Sequence, residues 1–484
     1  MTNLALLFGQ ICCLASAATW SKDYARKLRP ARQLNSTRSY ASLSAEHDSA
    51  NNCLADIPGT PVVAGIMMTG CIALSAGIVV GLVLYLNHMR TVSVRHPEPN
   101  AQAGIPQVAS SSKKKRIHIH TLDGMRVFLV TAVVFAHYPI GLPSIALYCL
   151  GWPMQFFFVL SGFVAQVQQE VGSDMFDWLS GLTYITRRLA RILPLYQLAL
   201  VFQFGVAVVA GRHCRPIIAW PLNALLLQVA LPVKVCGQPD HTWTLGYTHF
   251  NGNGPAWFAA CIVWFSCLFP LLYNVRPRPH SQGLWPMVLL GAIIVIRAIP
   301  DVLNPQWGQI GHGAHLYAMA PIRLMEYVAG MWAAQAASEM SQKLGKWSCW
   351  CWLFDISLLL LIAMVYFSLQ YLGSNWRCSG DYHITAFCCL VCIVARMAAE
   401  MEDESKTGLR GALLHRLMGS TLVTTLAPYT FAVYIFQTTF MSWVDEGQNF
   451  YIWRFGLLWF FSVCACLYIE EPIRLAVERS LKGK

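Results

Sequence analysis

An all-α fold, a polytopic membrane bundle of about ten core helical spans plus one amino-terminal span, is what this sequence predicts. Three observations carry the prediction. The 484 residues are 56% hydrophobic and only 12% charged, about half the charged share of soluble domains. Mean hydropathy is +0.46. Apolar runs of roughly spanning length recur along the chain, and the basic residues fall in short clusters between them. The formal net charge of +11 is therefore read as membrane orientation rather than as a nucleic-acid face, and no nucleic-acid partner is expected.

Residues 1–20 hold an apolar run ending in small residues, as a secretory signal does, but with no Lys or Arg ahead of it. Residues 21–60 are polar and rich in Arg and Ser, so a signal followed by a transit-like segment stays open beside a plain signal. Asn35-Ser36-Thr37 in that stretch is a glycosylation acceptor if luminal. Residues 61–87 form an uncharged Gly/Ala/Val-rich span, and 88–117 a linker ending in the cytoplasmic-type run Lys113-Lys114-Lys115-Arg116. The main membrane domain occupies 118–480, with apolar runs near 124–141, 146–167, 192–211, 218–235, 255–274, 284–300, 318–338, 350–371, 383–399, 422–442 and 452–469.

The run at 218–235 is short and carries Pro221 and Pro232. If it crossed, the basic loop from Arg396 to Arg416 would lie outside, against the orientation bias. A re-entrant or interfacial element, tolerable where backbone is buried in protein, restores the bias. Arg187, Arg188 and Arg191, the loop of Lys343 and Lys346, and the tail from Arg474 then share the cytoplasmic face. The loops holding His241, His249, His312, His315 and His383 face the other side.

Seventeen cysteines do not make a disulfide framework, because most lie inside apolar runs as small hydrophobes. Cys214, Cys236 and Cys378 lie in polar loops and are the candidates for one bridge if those loops meet an oxidising lumen. The histidines of Gly311-His312-Gly313-Ala314-His315 and His241…His249 lack the Cys or carboxylate that would close a metal site, so no metal is predicted.

The most informative feature is an ionisable pair inside one apolar run, Arg126 and His137. Charge in hydrocarbon costs a few kcal/mol or more and marks a functional site by default. At 1.5 Å per residue the two side chains lie about 16 Å apart along a helix, about half the hydrocarbon thickness. A neutral imidazole is suited to act as a base toward a hydroxyl.

The ordered motifs of residues 118–480 resemble the membrane-bound acyltransferase-3 family of integral membrane O-acyltransferases. Leu122-Asp123-Gly124-Met125-Arg126 with His137 matches its arginine, ten residues, histidine signature. Gln155-Phe156-Phe157-Phe158-Val159-Leu160-Ser161-Gly162-Phe163 is similar to its Phe-Phe-x-x-Ser-Gly-Phe helix, and Arg187-Arg188-Leu189-Ala190-Arg191-Ile192-Leu193-Pro194-Leu195-Tyr196 to its basic loop and Pro-Leu-Tyr start. Asn253-Gly254-Pro255-Ala256-Trp257-Phe258, Pro321 to Gly330 and Tyr468-Ile469-Glu470-Glu471-Pro472 continue the likeness. Two departures stand out. No carboxylate follows Trp257 where many members have Glu, and Gln437 stands where many have His.

The resemblance implies transfer of an acyl group, acetyl foremost, from acyl-CoA to a hydroxyl of a carbohydrate or lipid-linked acceptor. His137 is the base candidate and Arg126 its motif partner; Arg187, Arg188 and Arg191 suit the donor phosphates, because a guanidinium stays charged and forks to phosphate oxygens. Asn253, Trp257, Arg323 and Glu326 are the acceptor-side candidates, with Arg323 and Glu326 spaced to pair on one helix face. Ser161 has the chemistry of a nucleophile or a hydrogen-bond donor, but helix packing is the simpler role for Ser161-Gly162; Asp123 can cap the first helix while pairing with Arg126, with capping the simpler role. The membrane is expected to be the endomembrane system or plasma membrane, with an organelle membrane as the alternative. Two other functions fit the same residues: a transporter or lipid-handling protein using His137 and Arg126 as a relay, and a non-catalytic relative.

Overall fold

The computed structural model describes residues 120–137, 151–170, 178–209, 220–230, 254–274, 320–344, 417–441 and 451–481. The segments expected at 1–20, 21–60, 61–87 and 88–117 lie outside these residues, as do the runs near 284–300, 350–371 and 383–399 and the loop cysteines Cys214, Cys236 and Cys378. The described elements are helical, with no strand among them: α1 His120–His137, α2 Gly151–Glu170, α3 Trp178–Val209, α4 Ala256–Asn274, α5 Ala320–Leu344, the short α6 Thr421–Leu426, α7 Thr430–Met441, α8 Tyr451–Ala465 and α9 Glu471–Leu481. A 3-10 turn at Ala427–Tyr429 joins α6 to α7, and a π-helical turn at Cys466–Glu470 joins α8 to α9.

Two stretches, Ala256–Asn274 and Trp453–Leu481, are long and apolar enough to cross a membrane by themselves. They differ in how much they bury. Most of α4 is inside the protein, whereas Leu457, Phe460, Leu467 and Tyr468 of the carboxy-terminal stretch are exposed, as side chains facing lipid would be.

Helices α2 and α5 make the closest crossing. A Cβ on Gly162 would overlap the backbone oxygen of Tyr327, and one on Gly330 would overlap that of Val159. Each glycine therefore lets one backbone press into the other, the small-residue contact that drives association where lipid offers no hydrophobic gain. Backbone cannot yield as a side chain tip can. Gly162→Ala is expected to cost about 1–3 kcal/mol or more by overpacking, read as a fall in the unfolding temperature of the detergent-solubilised protein.

Around that crossing the core is aromatic. Phe265 of α4 stacks on Phe158 and Tyr327 at 5.6 and 5.4 Å, and Phe269 meets Tyr327 edge-on at 6.4 Å. Phe436 and Phe461 join α7 to α8 at 5.0 Å. Such pairs add about 0.5–1.5 kcal/mol each beyond area burial.

Residues 220–230 begin helical and break into turns, with Leu226 at φ 61°. Their backbone oxygens are served by other elements. Tyr196 donates to the Asn223 oxygen at 2.7 Å, Gln197 to that of Ala224 at 2.8 Å, and Trp264 to that of Leu226 at 2.8 Å. Non-helical backbone at depth is stable only with such partners, so the side chains of α3 and α4 account for the interruption.

Candidate active site

The Leu122-Asp123-Gly124-Met125-Arg126 motif becomes the first turns of α1. Leu122 and Met125 are buried, and Gly124 admits the Met418 backbone, which a Cβ would overlap. That contact fixes the face on which Asp123 and Arg126 are left. Asp123 lies within the first turn and accepts a hydrogen bond from Arg126 Nη1 at 2.8 Å. The aspartate is thus a charge partner for the motif arginine rather than a residue ahead of the helix, because α1 already includes His120.

Arg126 opens onto a cavity of about 660 Å³. One end is charged, with Asp123, Arg126, Gln168, Arg188, Arg191, Glu470, Glu471 and Arg474 in its wall. The other is apolar, with Phe157, Phe258, Ile262 and Tyr434. Along α2 the wall runs from Gln168 to Phe157, eleven residues, or about 16 Å of helix. Ser161 lies one turn from the apolar end and lines the cavity. The Ser161-Gly162 pair therefore divides its work: Gly162 makes the packing contact, and the serine hydroxyl borders open space.

The charges at the mouth are unequally engaged. Arg474 bonds Glu471 and Glu478, the latter at 2.8 Å. Arg191 lies 3.6 Å from Glu470, but its side chain is 58% exposed, so the pair is screened and weak. Arg188 has no carboxylate partner among the described residues; its Nε donates to the Tyr184 hydroxyl at 3.4 Å, and its guanidinium sits 5.8 Å from that ring's centre. Arg187, one residue away, is exposed and does not line the cavity. A helix turns about 100° per residue, so only Arg188 and Arg191, three apart, share the cavity face.

The π-helical turn supplies Cys466, Leu467 and Glu470 to the wall. An extra residue in one helical turn rotates the helix beyond it, and such turns recur at functional sites. It brings α9 across the mouth, where Val477 packs on Ala190 of α3.

Phe157, Phe258 and Tyr434 meet pairwise at 5.7, 6.5 and 5.1 Å and close the apolar end. Behind them lie Phe158 and Trp257, at 4.8 and 6.3 Å from the Phe258 ring. Beyond this second layer is the deepest charge. Arg323 is fully buried, its guanidinium 5.7 Å from the Phe158 ring centre and 5.8 Å from that of Trp257. Its Nη1 donates to Glu326 Oε1 at 2.7 Å, with Glu326 4% exposed. The structure thus brings Trp257, Arg323 and Glu326 together, outside the cavity and behind its aromatic end. Gln437 is buried in α7.

His137 is the last residue of α1, and its side chain lies outside the described residues, as does Asn253. The loop histidines lie outside them as well. Among the described residues no group of His, Cys, Asp and Glu could hold a metal, and Cys261, Cys267, Cys464 and Cys466 are not disulfide-bonded. Sequence reasoning missed Phe157, Phe258 and Tyr434 as an end wall and Glu470 and Arg474 as mouth residues. Phe157 and Phe258 entered only as parts of family-like motifs, and nothing in local composition signals the π-helical turn.

A family model described as an acyltransferase domain matches residues 119–471. That span begins at α1 and ends at the first residue of α9, so it encloses nearly every cavity-lining residue. No curated protein and no solved structure gives a significant match. With the motif arginine, the paired helix glycines and the mouth arginines in one helical assembly, and nearly three quarters of the chain matched, the protein belongs to the acyltransferase-3 family of membrane acyltransferases.

Proposed function

We propose that the protein is a membrane O-acyltransferase moving an acyl group, acetyl foremost, from acyl-CoA to a hydroxyl of a carbohydrate or lipid-linked acceptor. The observation that carries this reading is the cavity itself, arginine-lined at one end and aromatic at the other. Its volume falls among small-molecule sites, roughly 300–1,000 Å³. An acyl-CoA has the same polarity along its length: a polyanionic head, a flexible arm and an uncharged acyl end. Arg188, with no acid opposite it among the described residues, suits a phosphate; Arg126 and Arg191 are adjacent cations whose carboxylates a phosphate can supplant.

In this reaction His137 takes the proton from the acceptor hydroxyl as the oxygen attacks the thioester carbon. The carbon–sulfur bond breaks, the departing thiolate takes that proton from the imidazolium, and the products are an ester and free coenzyme A thiol. Ser161 can donate a hydrogen bond to the thioester oxygen as charge develops there. Asn253, Trp257, Arg323 and Glu326 are the acceptor-side candidates of this reading.

The test is incubation of purified protein with labelled acetyl-CoA and a mixture of cell glycans and lipids. Label in an ester and released thiol are expected, both lost in Arg126→Ala. Label crossing a vesicle membrane without ester formation would instead identify a transporter, and neither result a non-catalytic relative. Arg188→Gln removes a charge-assisted interaction of about 1.5–3 kcal/mol, so KM for acetyl-CoA is expected to rise about 10- to 100-fold with a smaller change in kcat.

A further inference from the structure

We propose that Phe157, Phe258 and Tyr434 form a chain-length gauge that restricts the donor to short acyl groups. The inference rests on acyl-CoA being the donor and concerns what sets its acyl specificity. From Gln168 to Phe157 the cavity wall follows α2 for about 16 Å, of which about 10 Å separate Gln168 from Ser161 and about 6 Å separate Ser161 from Phe157, room for a folded pantetheine arm followed by a short acyl group. Phosphates held at the mouth arginines then bring the thioester to Ser161 and point the acyl chain at the three rings.

These rings come from three separate helices, α2, α4 and α7, and each contacts both others. Phe258 and Tyr434 are 6% and 4% exposed, so they are held by the core rather than free to swing into solvent. The layer behind them is also filled. Phe158 packs on Phe258 at 4.8 Å and on Phe265 at 5.6 Å, and is itself held against the Arg323 guanidinium. A chain too long for the space before the rings must therefore displace two packed aromatic layers and disturb a buried ion pair. Close-packed interiors do not give way gradually, so the cutoff should be steep.

The experiment is thiol release by the purified full-length protein, supplied with the mixture of cell glycans and lipids as acceptor, with acetyl-, butyryl-, hexanoyl- and octanoyl-CoA. One methylene too many in a fitted pocket is worth about tenfold or more. The wild-type rate is therefore expected to fall at least about tenfold between acetyl- and hexanoyl-CoA. Phe157→Ala, at a half-buried position, and the milder Phe258→Leu should each raise the hexanoyl-to-acetyl ratio by about tenfold or more. Phe157→Trp adds bulk and should move the ratio the opposite way, so the idea remains testable if an emptied variant fails to fold. An unchanged ratio in the folded variants, or a wild-type preference for hexanoyl-CoA, overturns the gauge while leaving the donor intact. Absence of thiol release with every chain overturns the donor itself.

Discussion

Replacing His137 by alanine is expected to slow acyl transfer by about 10²–10⁴-fold, the usual contribution of a positioned general base. The protein should remain folded and targeted, because the residue is the last of α1 and the cavity-lining residues of that helix are Leu122, Asp123 and Arg126, three turns earlier. The loss should appear in kcat more than in the KM for acetyl-CoA, whose phosphates are held elsewhere. Full activity in purified His137→Ala protein would remove the imidazole from the mechanism.

The second large effect is on stability. Arg323→Met removes the guanidinium bonded at 2.7 Å to the Glu326 carboxylate, 4% exposed, and breaking one side of a buried pair costs about 3–5 kcal/mol. Arg323 also contributes stacking on Phe158 and Trp257, and a desolvated guanidinium over a ring is worth about 2 kcal/mol. The double variant Arg323→Met/Glu326→Leu should recover much of the loss, since two apolar residues of similar volume replace a buried pair with little penalty. Thermal unfolding in detergent distinguishes the two. If the double variant is stable yet inactive with an otherwise good donor, the pair serves the acceptor; if it is stable and active, the pair is structural. A single variant as stable as wild type would mean the ion pair carries no net stability.

Part of the cavity wall was legible before any fold. Arg126 stood out because a cation in an apolar run is costly, and the structure places it in a cavity wall with Arg188 and Arg191. The Arg323 and Glu326 spacing led directly to a bonded pair, because i, i+3 neighbours meet on any helix. Other positions are told apart only by the fold. Three clustered arginines look equivalent in sequence, but the turn of α3 sends Arg187 away from the cavity. Ser161 and Gly162 are neighbours, yet adjacent helical residues point about 100° apart: the glycine meets α5 and the serine lines the cavity.

What the sequence determined alone is the helical class, the ionisable pair on one segment and the family to which its ordered motifs belong. Those rest on hydropathy, helical spacing and motif order, all local along the chain. Tertiary structure decided which side chains share a cavity, that Phe157, Phe258 and Tyr434 from three helices close it, and that Trp257 and Arg323 stand behind that closure. The physical reason is that helix rotation and crossing are set by contacts such as Gly162 against Tyr327 and Gly124 against Met418. Those partners lie more than a hundred residues apart, so no local window of sequence contains both.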